Sequence, residues 1–167
     1  MKQVGPSEAV SRKYPEWIVL LVSRNDAGQP NVMPAGWAMI CSGSPVLVAV
    51  AVAYTRYTYQ CITQTEEFVF AWAGEDQADL VEQTGSTSGR DIAKFDEFSI
   101  PCKDGVQTNL PLLVQAAANL ECELVHTYES GDHVIFVGEV VAGHVPDDPI
   151  RKLENFDGEF MVAQPVE

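Results

Sequence analysis

Apolar residues in this chain recur mainly in short runs of strand length rather than at helical spacing. Trp17–Ser23 is a continuous apolar run that follows a proline and precedes NDAGQP, a segment rich in turn-forming residues. A second apolar stretch, Asn31–Ile40, is interrupted by Pro34. We therefore predict that Trp17–Ser23 and Asn31–Ile40 form a β-hairpin.

Val46–Ala53 is predicted to be a third strand, and from Val48 onward it alternates strictly between valine and alanine. Because successive strand residues point to opposite sides, the valines share one face and the alanines the other. A face of small side chains allows another group to approach the sheet closely. Small side chains are also, and more commonly, a sign of a tightly packed sheet or helix.

Two short helices and a second hairpin are predicted further along the chain. TYQCITQTEEF is expected to form a helix that leads into the strand FVFAWA, and EDQADLVEQTG a helix that ends at Gly85. LECELVHTY alternates, with Leu120, Cys122 and Leu124 on one face and Glu121 and Glu123 on the other. ESGD is predicted to be a four-residue hairpin loop before the strand HVIFVGEVVAGHV.

This succession of elements predicts a mainly β, Greek-key-like barrel with short helical insertions, formed by one domain over residues 1–167. A doubly wound α/β fold needs a helix after nearly every strand, and the pattern lacks these helices.

The composition of the chain argues against several classes of function. The net charge is −14 and the isoelectric point about 4.4, which argues against binding nucleic acid or an anionic membrane surface. The N-terminus has no apolar signal segment, and the longest apolar run is too short to span a bilayer. The four cysteines have no zinc-type spacing, so we expect no metal site and interpret them as free, buried thiols of a soluble cytoplasmic protein.

Cations are scarce in the middle of the chain. Of ten Lys and Arg, only Arg56, Arg90, Lys94 and Lys103 lie between Asn25 and Ile150. Arg56 is predicted to start a helix, flanked by Thr55 and Thr58, and the hydroxyl-rich segment STSGR precedes Lys94. Helix N–H groups, hydroxyls and guanidinium groups suit an anion such as phosphate. The alternative is that these residues form an ordinary helix cap and solvated surface pairs.

The chain also resembles the flavin reductase-like, FMN-binding split-barrel family, in particular its flavoredoxin and archaeal ferric reductase branch. The resemblance rests on the order and spacing of WIVLLVSRNDAGQPNVMPAGW, SPVLVAVAVAYTRYTYQCITQTEEFVF, SGRDIAKF, LPLLVQAAANLECELVHTYESGDHVIFVGEV and, more faintly, FDGEFM. It extends from about Tyr14 to Val140. It implies a homodimer of split barrels with one FMN per subunit near the subunit interface.

The resemblance also implies roles for individual residues. NVMPAGW would line the isoalloxazine ring, Arg56 and Thr58 would contact the phosphate, and the loop that includes Ser88 and Arg90 would close over the phosphate and ribityl end. The implied cofactor-binding residues are Asn31, Met33, Pro34, Ala35, Gly36, Trp37, Ala53, Arg56, Thr58, Ser88, Gly89, Arg90 and Lys94. His133 matches the GDH segment of the family and is the candidate catalytic residue, near the flavin or a stacked nicotinamide.

The implied function is transfer of hydride from NADH or NADPH to FMN, and of electrons onward to flavin, ferric or protein acceptors. No GxGxxG follows a strand, so the nicotinamide would have to stack transiently on the flavin. Two alternatives stay open. One is a flavoredoxin-like FMN electron carrier without NAD(P)H activity, whose acidic surface would suit a basic redox partner. The other is a split barrel without FMN that acts as a sensor or store.

Overall fold

A computed structural model describes residues 1–164, and its largest element is one seven-stranded antiparallel β-sheet. The strands of the chain are β1 Glu16–Trp17, β2 Val19–Arg24, β3 Pro30–Ala35, β4 Ala38–Gly43, β5 Val46–Ala53, β6 Glu67–Trp72, β7 Cys102–Asp104, β8 Pro111–Leu113, β9 Ala118–Ser130, β10 His133–His144, β11 Leu153–Phe156 and β12 Glu159–Val162. The α-helices are α1 Pro6–Val10, α2 Tyr57–Thr65, α3 Ala78–Ser86 and α4 Lys94–Glu97, and a 3₁₀-helix, Ser11–Lys13, follows α1. None of these helices is both long enough and apolar enough to cross a bilayer.

The main sheet is rolled into a split barrel. Its seven strands lie in the order β3-β2-β6-β9-β10-β5-β4. Its two edge strands, β3 and β4, are consecutive in the chain and separated only by Gly36 and Trp37. Since two residues cannot cross a seven-stranded sheet, the sheet must curl until its edges meet. The prediction of a mainly β split barrel with short helical insertions is confirmed.

The barrel is covered on both faces. Along β2, Val19 and Leu21 belong to an interior core that includes Ile62 of α2, whereas Leu20 and Val22 belong to an outer core that includes Val81 of α3. Because β2 is buried on both faces, its sequence reads as a continuous apolar run. The helices α2 and α3 therefore lie on opposite sides of β2, and each covers one of its faces.

Several strand predictions hold and others are corrected. The β2–β3 hairpin and the strand Val46–Ala53 are confirmed. Asn31–Ile40 is not one strand: its two halves lie at opposite edges of the sheet. The loop between β9 and β10 has two residues, Gly131 and Asp132, rather than four, and Gly131 takes the positive φ of 61° that this tight turn requires.

Side-chain burial brings further corrections. All four cysteines are free, but Cys41 and Cys102 are exposed, and only Cys61 and Cys122 are buried as expected. Glu121 is fully buried although it alternates onto the same face as exposed Glu123. A small sheet, β1-β11-β12, and the pair β7-β8 complete the described fold.

Candidate functional site

A cavity of about 320 Å³ opens where β3, the start of α2 and the segment after α3 meet. Its lining includes three cations, Arg56, Arg90 and Lys94, and no carboxylate, although the protein as a whole is strongly acidic. We call it the anion cavity. It is lined by Asn31, Met33, Thr55, Arg56, Tyr57, Thr58, Thr84, Gly85, Thr87, Ser88, Gly89, Arg90 and Lys94.

The N-terminus of α2 forms one wall of the anion cavity. Arg56 is its N-cap residue, with extended backbone angles (φ −75°, ψ 141°), and no side chain caps the helix. The first backbone N–H groups of α2 therefore remain available to a ligand and carry the positive end of the helix dipole. Thr58, the second residue of the helix, is buried, and its Oγ1 accepts a hydrogen bond of 2.9 Å from Asn31 Nδ2.

The segment that follows α3 forms the opposite wall. Arg90 Nη1 donates a hydrogen bond of 3.1 Å to the Thr55 carbonyl, and the guanidinium lies 5.2 Å from the centre of the Tyr57 ring. Ser88 Oγ accepts from the Arg90 backbone N–H at 3.2 Å. Gly89 packs so closely that a Cβ would clash with Asn31 Oδ1 and lie 2.8 Å from Tyr57 Cδ1.

Two of the predicted hydroxyl donors are already engaged by α3. Ser86 Oγ donates to the Glu82 carbonyl at 2.8 Å, and Thr87 Oγ1 donates to the Gln83 carbonyl at 2.7 Å. These bonds satisfy carbonyl groups in the last turn of α3, which extends one residue past the predicted end at Gly85. Among the three hydroxyls of STSGR, Ser88 remains the one that lines the cavity without donating to a helix carbonyl.

Lys94 lies at the base of the cavity, with only 3% of its surface exposed. Its Nζ donates to the Val32 carbonyl at 2.9 Å and to the Thr84 carbonyl at 2.6 Å, which ties β3 to α3. An ammonium has three N–H donors, so one remains for a ligand. Burial, and secondly the charge of Arg56, lower the pKa of Lys94 from 10.5 to about 8.

Asn31 supplies an unused acceptor at the same place. The residue is 2% exposed, and its Oδ1 is buried without a hydrogen-bond partner among the described residues. A buried acceptor without a donor is costly, and such atoms often mark a ligand position. The cavity thus combines cations and free N–H groups for an anion with an acceptor for a neighbouring hydroxyl.

A second cavity, of about 270 Å³, continues along the same two elements. The anion cavity takes Met33 from β3 and Thr84 from α3, and the second takes Ala35 from β3 and Val81 from α3. We call it the Glu16 cavity, after the carboxylate at its rim. It is lined by Glu16, Ile18, Pro34, Ala35, Gly36, Val81, Asn155, Gly158 and Phe160.

Three predicted site residues lie away from both cavities, near the point where β5 ends and β10 begins. Trp37 and His133 have ring centres 4.8 Å apart, and Ala53 is the Cα partner of His133. His133 Nδ1 is 2.6 Å from Asp132 Oδ1. This hydrogen bond, and secondly the charge of His133, lower the pKa of Asp132.

The predicted residues therefore fall into three groups. The anion cavity gathers Asn31, Met33, Arg56, Thr58, Ser88, Gly89, Arg90 and Lys94; the Glu16 cavity gathers Pro34, Ala35 and Gly36; the region where β5 ends and β10 begins holds Trp37, Ala53 and His133. Sequence reasoning missed Glu16, Tyr57, Thr84 and Phe160. Tyr57 could have been found, because it directly follows Arg56 at the helix start.

Comparison with known proteins gives a consistent result. The family model for the flavin reductase like domain matches residues 11–164. An uncharacterised protein of Archaeoglobus fulgidus is 36% identical over 128 residues, 77% of this chain and 71% of that one. An NADH-dependent FAD reductase of Streptomyces globisporus is 30% identical over 115 residues, 68% of this chain but only 62% of that one. An FMN-binding protein of Thermus thermophilus, solved with bound cyclohex-2-enone, superposes with a TM-score of 0.84 at 28% identity and covers 97% of this chain and 94% of its own.

Proposed function

Because the chain belongs to the flavin reductase-like family, we propose that it binds FMN and acts as a flavin reductase-type oxidoreductase. NADH or NADPH would be the electron donor, and flavin, ferric or protein acceptors would receive the electrons. The observation that carries this proposal is the anion cavity, where Arg56, Arg90 and Lys94 converge with no carboxylate on a protein of net charge −14. The FAD reductase and FMN-binding relatives support a flavin as the ligand.

The anion cavity suits the phosphate and ribityl end of FMN. Arg56 and Arg90 would neutralise a phosphate held at the uncapped start of α2. Gly89 would let Asn31 and Tyr57 pack against the loop backbone beside the phosphate, and the remaining N–H of Lys94 would add a charged donor. Asn31 Oδ1 would accept from a ribityl hydroxyl, which would satisfy its unmet hydrogen bond.

The Glu16 cavity suits the ring. From Asn31 to Gly36 the extended chain covers roughly 17 Å, enough for a phosphate, a ribityl chain and a ring system laid along it. Pro34, Ala35 and Gly36 would line the isoalloxazine. Bound FMN supplies the hydride and electron chemistry, and the protein holds and orients it in a partly dry groove.

A second copy of the chain would complete the site. The outer side of β4 and β5 carries an apolar cavity of about 180 Å³ that includes Trp37, Met39, Ala51 and Ile135. Trp37 and Met39 are each about half exposed, at 52% and 53%. Exposed apolar patches of this kind suit a protein interface. We propose a homodimer through this face, in which Trp37, Ala53 and His133 reach the flavin of the neighbouring subunit and His133, the candidate catalytic residue, contacts the nicotinamide.

The four free thiols of the chain suit a reducing compartment, and we propose the cytoplasm as the location of the protein.

The test is an anaerobic absorbance titration of FMN-loaded protein with NADPH and then NADH. Rapid bleaching of the visible flavin band would support the reductase. If the band persists with both nucleotides but disappears with dithionite, the flavoredoxin-like electron carrier is the better description. If FMN does not bind at all, both functions fail.

A further inference from the structure

The carboxylate of Glu16 covers the backbone of Gly36. A Cβ built on Gly36 would lie 2.5 Å from Glu16 Cδ and 2.6 Å from each carboxylate oxygen. Glu16 and Asn155 are Cα partners in the β1–β11 pair. The small sheet therefore places this carboxylate against the residue at which the chain leaves β3 for β4.

One oxygen of this carboxylate is engaged and the other is not. Oε1 forms an ion pair with Lys13 and accepts a hydrogen bond of 3.4 Å from Asn155 Nδ2. Within residues 1–164, Oε2 has no hydrogen-bond partner. The side chain is only 15% exposed, and apolar Ile18, Val81 and Phe160 share the lining. An acceptor in such a partly dry position binds an N–H donor more strongly than it would in water.

We propose that Glu16 accepts a hydrogen bond from a planar ring N–H group bound in the Glu16 cavity, and that it thereby sets which ring the cavity takes. This inference rests on the proposed function. The cavity is at the small end of ligand sites and holds a ring rather than a whole dinucleotide. Two sources offer this chemistry: the imide N–H of the isoalloxazine and the carboxamide N–H of a nicotinamide.

The experiment compares each donor with a matched probe that lacks the N–H. The flavin arm measures the dissociation constants of FMN and N3-methyl-FMN by fluorescence titration. The nicotinamide arm measures those of oxidised NAD and its 3-acetylpyridine analogue for the FMN-loaded protein. Each arm uses the unaltered chain, Glu16→Gln, Glu16→Ala and the control Glu154→Gln, which removes one carboxylate from the same small sheet.

In one arm the unaltered protein should prefer the N–H ligand by about tenfold or more, as a hydrogen bond to a charged acceptor predicts. Glu16→Gln, which keeps the size but not the charge, should reduce this preference several-fold, and Glu154→Gln should leave it unchanged. The arm that responds identifies the source. Glu16→Ala supplies the same comparison if the glutamine variant folds poorly.

The inference is overturned if the unaltered protein shows no preference in either arm, or if Glu16→Gln keeps the full preference, since a purely steric effect would survive that change. These results leave the proposed function intact. Failure of the unaltered chain to bind FMN is a different result, which overturns the proposed function and this inference together.

Discussion

Arg90 and Thr55 are 35 residues apart in the chain, and a hydrogen bond of 3.1 Å from the Arg90 guanidinium to the Thr55 carbonyl joins them across the anion cavity. This bond ties the segment after α3 to the turn before α2. Arg90 is thus in place before a ligand arrives, and little side-chain entropy is lost when a phosphate binds.

Replacing Arg90 with alanine should weaken FMN binding by about tenfold or more, because a charge-assisted contact and the tie to Thr55 are both lost. Riboflavin, which lacks the phosphate, should be affected much less. Arg151→Ala is a matched control, since Arg151 is exposed and pairs with Glu75 away from the cavity. Fluorescence titration measures the affinities of the unaltered chain and of both variants for FMN and for riboflavin. An unchanged FMN affinity in Arg90→Ala would show that Arg90 does not contribute to the site.

Gly89→Ala should destabilise the protein by about 1–3 kcal/mol, because the new Cβ overlaps Asn31 Oδ1 and the ring edge of Tyr57. The melting temperature should fall by a few degrees and FMN affinity should fall with it. Gly143→Ala is the control, because its Cβ would meet only Leu120 Cδ2, at 3.7 Å. Equal melting temperatures for the two variants would contradict the packing described for Gly89.

FMN affinity should fall as pH rises from about 7 to about 9. The pKa of Lys94 is about 8, so the ammonium that would face the phosphate loses its proton in this window. The loss should approach tenfold if the phosphate restores the ordinary pKa. Riboflavin should lack this dependence, and so should FMN binding to Lys94→Met; a parallel decline for riboflavin would assign the effect to another group.

The stability of the ligand-free protein should respond in the opposite direction. Between pH 8 and 10.5 the unfolded chain binds more protons at Lys94 than the folded chain does. The contribution of this residue to the free energy of unfolding therefore rises with pH across that window. Urea unfolding of the unaltered chain and of Lys94→Met at several pH values isolates the contribution.

Glu121 should stabilise the segment between β7 and β8. Burial opposes its ionisation, but the backbone N–H groups of Val106–Thr108 and then His144 outweigh that cost and lower its pKa from 4.5 to about 2. The contribution of Glu121 to the free energy of unfolding is therefore complete above pH 4.5 and is lost as pH falls towards 2. In all it amounts to about 3 kcal/mol.

Glu121→Gln should remove most of that contribution and speed amide hydrogen exchange at Val106–Thr108. Glu123→Gln is the matched control, two residues along the same strand and exposed. The free energy of unfolding in urea, measured near neutral pH and in acid, gives the comparison. Identical acid sensitivity of the two variants would show that Glu121 is not the responsible group.

Met39→Glu should convert the proposed dimer into a monomer, because it places a charge in the apolar face of β4 and β5. Val10→Glu is the control, since Val10 is 56% exposed on α1, outside that face. Sedimentation velocity gives the masses. A monomeric unaltered chain would contradict the homodimer.

Alternation and turn chemistry were enough to predict β5 and the β2–β3 hairpin, because those features depend on neighbouring residues. The break at Gly36–Trp37 was not predicted, since the apolar pattern continues while the chain passes from one sheet edge to the other. Pro34, which looked like the interruption, fits within β3 because an edge strand can lack one N–H donor.

In the candidate site, too, the residues set by local sequence could be predicted and those set by distant contacts could not. Arg56 and Ser88–Arg90 could be singled out from local composition, as helix-start and loop residues. Glu16 could not, because its position over Gly36 depends on pairing with Asn155, 139 residues away. Burial of Glu121 likewise depends on residues distant in the chain. Val106–Thr108, which precede Glu121 by 13 to 15 residues, fold over the sheet and cover its carboxylate.

A cationic cavity on an acidic protein also affects how quickly an anion arrives. At −14 the protein repels a phosphate-bearing ligand until the ligand comes within reach of Arg56, Arg90 and Lys94, and salt screens charges beyond about 8 Å at physiological ionic strength. Added salt should therefore speed FMN association by screening the distant repulsion, and speed dissociation by weakening the contacts within the cavity. Most oppositely charged pairs associate more slowly as salt is added; here both rate constants would rise together.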